Sequence, residues 1–102
     1  MPEVKFSRLA ESDLQSIDEY TSSNWNADQA DLYLNQIKAF CLKLARTPAM
    51  GRPVSQRSGL RRIEYKAHVI FYRELQHDIL ISRILHSRML PERRSFDGLK
   101  AD

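Results

Sequence analysis

The sequence predicts an α+β domain in which a helical hairpin packs on one face of an antiparallel sheet. Three observations point there. Apolar residues recur at helical spacing through the first 47 residues, the period switches to strand-like alternation after residue 60, and a Pro/Gly-rich stretch separates the two regimes. At 102 residues the chain holds one domain, spanning 1–102, with a single core and no room for another.

Residues 3–7, EVKFS, alternate weakly and form a short first strand. Ser7 then stands where a helix N-cap belongs. Ala10, Leu14, Ile17 and Tyr20 continue a helical stripe, and Glu11 and Asp13 sit in the first turns, where the helix dipole favours acids. This predicts a helix over about residues 8–23, broken at Ser22-Ser23-Asn24-Trp25-Asn26. Asn26 caps a second helix, with Gln29 three residues on in a variant of the capping box. Ala30, Tyr33, Leu34, Ile37, Phe40, Cys41 and Leu44 give that helix a wide apolar face, and Thr47-Pro48 closes it. Residues 48–59 are read as a loop, since two prolines and two glycines punctuate them. Leu60–Tyr65 alternates, with Arg61, Ile63 and Tyr65 on one face and Leu60, Arg62 and Glu64 on the other. Residues 68–75 are β-branched and aromatic, and 79–86, ILISRILH, are almost continuously apolar, which suits a central strand covered on both faces. The expected order is β-α-α-β-β-β.

Composition narrows the function classes. With 42% hydrophobic and 28% charged residues the chain suits a soluble globular fold. Apolar runs are too short to span a membrane, and the start shows no secretory h-region, so a cytoplasmic location is expected. Cys41 is the single cysteine; it cannot form an internal disulfide and lies in an apolar stripe, where it reads as a small buried hydrophobe. Charge is unevenly divided. Residues 1–50 carry five Lys/Arg against seven Asp/Glu, whereas 51–102 carry eleven against six. A basic half suits an acidic partner.

No catalytic set or cofactor motif stands out. There is no phosphate loop, CxxC or HExxH, and His68, His77 and His86 lack ligand spacing on one element, so neither metal nor cofactor is expected. Ser58-Gly59 reads as a turn. Arg83 interrupts an apolar strand, and a buried guanidinium needs a partner. Two readings remain open: a structural pair with Glu64, Glu74 or a helix-face acid, or an anion site shared with Arg61.

These pieces together resemble the ParE branch of the ParE/RelE toxin superfamily. The resemblance rests on Ala10, Leu14, Ile17 and Tyr20 after the first strand, Gly51-Arg52-Pro53, Gly59-Leu60-Arg61, His68-Val69-Ile70-Phe71-Tyr72 and the closing run ILISRILHSRMLPERR. It implies the RelE/ParE-like fold, a cognate antitoxin in a toxin–antitoxin hetero-oligomer, and DNA gyrase as the target, with no direct nucleic-acid binding and no enzymatic step. RelE-like relatives instead cut messenger RNA in the ribosome, and a ribonuclease of that kind would use Arg61 and Arg83 as a phosphate clamp and His86 as acid or base. Against it, residues 91–102 hold no tyrosine or histidine, and past residue 50 the only lysines are Lys66 and Lys100. A third reading is a passive RNA- or ribosome-binding module with Tyr65, Phe71 and Tyr72 as stacking platforms. On the toxin reading, antitoxin contacts are expected at Leu34, Ile37, Phe40, Arg61 and Arg62. Target contacts are expected at Arg83, Arg88, Met89, Leu90, Arg93 and Arg94.

Overall fold

The computed structural model describes residues 1–90. A first strand, β1 (Val4–Phe6), leads into the helices α1 (Arg8–Asn24) and α2 (Ala27–Arg46). Then follow a 3₁₀ turn (Pro48–Met50), a two-residue strand β2 (Arg52–Pro53), the long strands β3 (Leu60–Tyr65), β4 (His68–Glu74) and β5 (Ile79–His86), and a last 3₁₀ turn (Ser87–Met89). Both caps form as the sequence requires: Ser7 accepts from the Ala10 amide at 3.0 Å, and Asn26 from the Gln29 amide at 2.8 Å.

The α+β class and the helical hairpin over one face of the sheet are as expected. Two features lay beyond the sequence. The sheet order is β1-β5-β4-β3-β2, and β1 joins β5 in parallel, so the sheet is mixed rather than wholly antiparallel. The loop after α2 also contributes β2, which pairs with Arg61 and Arg62.

The core lies on both faces of the sheet. Under the helices, Ile37, Cys41 and Leu44 of α2 and Ala10 and Ile17 of α1 meet Ile70, Tyr72, Ile79, Ile81 and Ile84. On the reverse face Val54, Leu60, Val69, Phe71, Leu85 and Leu90 form a second cluster. Every residue from His68 to Tyr72 is buried, because β4 carries side chains into both.

An irregularity in β5 explains how one strand serves both faces. The ladder pairs Phe71 with Arg83 but Tyr72 with Ile81, leaving Ser82 as an extra residue. Strict alternation groups Arg83 with Ile79 and Ile81 and sends Ile84 to the other face. The bulge shifts the alternation by one, so Ile84 rejoins the helix side and Leu85 faces away.

The bulge lies where β1 ends, and α1 closes the exposed main chain beyond it. The Ser7 amide donates to Ile81 O at 3.0 Å and its hydroxyl to Ser82 O at 2.8 Å. Asp13 then accepts from the Ile84 amide at 2.9 Å and pairs with Arg83 through two contacts of 2.9 Å. Of the two readings of Arg83, the structural pair with a helix-face acid is the one formed.

Candidate functional site

A groove of about 680 Å³ opens between the C-terminal half of α1, the first turns of α2 and the end of β5. Ile17, Tyr20, Trp25 and Tyr33 supply its apolar wall, while Lys66, His86 and Arg88 stand along the opposite side. Its size falls within the range of well-formed ligand pockets. Tyr20 and Trp25 are 64% and 73% exposed, and both line the same groove, as expected of an apolar interaction surface. Tyr20 continues the apolar stripe of α1 and Trp25 stands in the break after it, yet both side chains are left uncovered, which their spacing does not predict. The nearest signal was two bulky aromatics flanking a turn.

A polar cluster floors the groove. His68 and His86 are direct cross-strand partners, their rings edge to face at 5.2 Å. His68 is buried, and its Nδ1 shares a 2.7 Å hydrogen bond with the Tyr33 hydroxyl. His86 Nδ1 accepts from the Arg88 amide at 3.0 Å, which places the proton of the neutral ring on Nε2. Burial, and then the neighbouring His86, hold the His68 pKa down at about 4; Asp13 opposes them weakly. Burial also raises the Tyr33 hydroxyl above its ordinary value.

The sign of the histidine effect follows from linkage. Unfolded His68 takes up a proton near its ordinary pKa of ~6.5, whereas folded His68 stays neutral down to about 4. Between those values the unfolded chain binds more protons, so stability falls as pH drops through that window. The expected loss is on the order of 3 kcal/mol. Urea midpoints measured from pH 7 to pH 4 check it: His68→Gln should flatten the decline, and an equally steep decline in that variant would assign it to other groups.

The basic residues singled out from the sequence do not assemble. Arg61 lies opposite Tyr72, whose ring belongs to the helix-side core, and donates to Gly51 O at 2.7 Å. Arg83 lies opposite Phe71 on the reverse face and is held by Asp13. His86 is on the helix side, but at the far end of β4 from Arg61, roughly 13 Å along the strand. Arg61, Arg83 and His86 therefore form no common clamp.

The expected contact sets are also divided. Ile37 is fully buried beneath the hairpin, which corrects its assignment to a partner surface: it is the central core residue of the α2 stripe. Leu34 and Phe40 are partly buried against the same core, the Phe40 ring tilted against Tyr65 at 4.7 Å between centroids. Arg62 faces the reverse side, 2.8 Å from Glu64 and over Phe71, away from the groove. Leu90 is buried in the reverse-face cluster, so it is a core residue rather than a contact. Arg88 and Met89 are exposed beside the groove, and Arg93 and Arg94 lie outside the described residues. Phe71 and Tyr72 are buried and Tyr65 packs on Phe40, so these aromatics offer no stacking platform. Burial pushes the Cys41 thiol up to about 12, in keeping with a core residue. Among the described residues no three His, Cys, Asp or Glu side chains group as metal ligands, and no helix is long and apolar enough to cross a membrane.

Comparison with known proteins accords with this geometry. Residues 4–91 match the family model of the ParE toxin of the type II toxin–antitoxin system parDE. Toxin ParE1 of Caulobacter vibrioides is 36% identical over 90 residues, covering 87% of this chain and 93% of that protein. Toxin ParE1 of Mycobacterium tuberculosis is 33% identical over 85 residues, covering 81% and 87%. A solved chain of the chromosomal ParDE system from P. aeruginosa shares the fold, with a TM-score of 0.72 at 23% identity over 84% of this chain and 96% of its own. The chain belongs to the ParE toxin family of type II toxin–antitoxin systems.

Proposed function

We propose that this toxin acts on DNA gyrase by contact alone, and that a cognate antitoxin silences it by seating an acidic, amphipathic segment in the groove beside β5. One observation carries the reading. The arginines that a phosphate clamp needs are engaged in internal bonds on opposite faces of the sheet, while a large apolar groove with a basic rim is left uncovered. That surface suits a protein segment that folds as it binds. The free Cys41 and the absence of a long apolar helix among the described residues are consistent with action in the cytoplasm.

Target contact is assigned to the exposed pair Arg88 and Met89 together with Arg93 and Arg94, since Arg and Met are favoured in interfaces. Purified toxin added to a gyrase supercoiling reaction is expected to inhibit it, and the antitoxin to restore activity. Deleting residues 91–102 keeps Leu90 in the core, so the shortened chain is expected to fold yet lose most of its potency. Ribosome-dependent cleavage of messenger RNA with supercoiling unaffected would replace this reading with the ribonuclease one.

A further inference from the structure

The groove runs along an unpaired length of main chain. In the β4–β5 ladder the Ser87 amide bonds Ala67 O, and the Ile84 amide points away from β4 to Asp13. Alternation between these fixed points makes Val69 and Leu85 the hydrogen-bonded pair and sends the His86 amide outward, as it does for Ile84. β1 covers β5 only from Ile79 to Ile81, Ser7 takes Ser82 O, and Asp13 takes the Ile84 amide. The Ile84 carbonyl and His86 amide are the next edge groups, and both open into the groove that Ile84, Leu85 and His86 line.

We infer that the partner segment enters this groove as an extended strand added to the edge of β5, accepting a hydrogen bond from the His86 amide and donating one to the Ile84 carbonyl. This rests on the antitoxin reading of the groove and specifies how that partner is held. The occupant is an extended stretch of the antitoxin bearing an apolar side chain followed by acids. Charge complementarity selects it: Asp13, the acid at the groove's inner end, is already neutralised by Arg83, and Lys66 and Arg88 leave the rim basic. Main-chain pairing supplies affinity, and every second side chain of the segment falls between Ile17, Tyr20 and Trp25. Asp13 and Ser7 limit the pairing site to the last turn of the ladder, which fixes the register of the added strand.

His86 itself allows a direct test. Its backbone, at φ −66° and ψ 139°, is one that proline adopts without strain. His86→Pro therefore removes the edge N–H together with the imidazole, whereas His86→Ala removes the imidazole alone. Titrating each variant with the antitoxin encoded beside the toxin, the proline variant is expected to bind about tenfold more weakly than the alanine variant, the effect of one lost interfacial hydrogen bond. Amide hydrogen exchange on the wild-type complex gives an independent reading if the proline variant folds poorly: the His86 amide should slow at least ~10-fold on binding. Trp25, the chain's single tryptophan, reports occupancy of the groove by its fluorescence. A fluorescence change with unaltered His86 exchange, or with equal affinities of the two variants, would overturn strand addition and leave the groove reading standing. A complex that forms without any change at Trp25, or no complex at all, would overturn both.

Discussion

Gly51→Ala is expected to destabilise the toxin by about 3 kcal/mol. The position needs glycine because of crowding, its φ of −81° being open to any residue. A Cβ there would run into the Tyr72 hydroxyl and come within 2.8 Å of the Arg62 carbonyl. The ring cannot easily withdraw. Tyr72 is fully buried; its hydroxyl donates to Pro48 O at 2.6 Å and accepts from the Gly51 amide at 2.8 Å. Arg61 fastens the same loop through Gly51 O. The methyl group would therefore break a buried polar knot that ties the end of α2 and β2 to the middle of the sheet. Urea denaturation of the variant checks the size of the loss. A change below about 1 kcal/mol would mean that the loop shifts as a unit and keeps its bonds.

Asp13→Ala is expected to cost a comparable 2–3 kcal/mol. The substitution takes a carboxylate from two groups at once: the Arg83 guanidinium, whose side chain is only 32% exposed, and the Ile84 amide. Asp13→Asn separates the two effects, because the amide oxygen still accepts from Ile84 while the charge is gone; about half the loss is expected to return. The alanine variant also bares a further edge N–H on β5, and an open edge invites pairing with another chain. Self-association measured by light scattering should rise in Asp13→Ala and not in Asp13→Asn. Equal stability of wild type and Asp13→Ala would remove the Asp13–Arg83 pair from the account of the fold.

The sequence displayed what depends on near neighbours. Ser7 and Asn26 mark their helices because a cap acts over three residues, and Leu60–Tyr65 shows its two faces because side chains alternate locally. Partners distant in the chain were hidden. Nothing in residues 3–7 says that they lie parallel to β5, and nothing around Arg83 selects Asp13 over Glu64 or Glu74. The bulge at Ser82 is invisible too, since ILISRILH reads as uninterrupted and the shift appears only once Ile84 and Leu85 are seen on opposite faces. For the site, apolar periodicity showed which α2 residues share a stripe, but not that Ile37 lies at its centre. The groove itself depends on how α1 and α2 come together over the end of β5, a property of packing that spacing does not encode.

The pairing of β1 with β5 has a consequence for how the toxin comes into being. Ser7 meets Ser82 across 75 positions of sequence, and Asp13 meets Arg83 across 70. Contacts so remote make a slow-folding topology, completed over milliseconds to seconds rather than microseconds. They also set an order of events during translation. At ~5–20 residues per second, the ribosome needs roughly 4–15 s after Ser7 is made to supply its partner. Throughout that interval α1 has no sheet to lie on, and the groove does not exist. Neither the target contact proposed at Arg88 nor the strand edge at His86 can form until the chain has been made past residue 86. Before that point the growing chain offers neither of the surfaces proposed for partner and target.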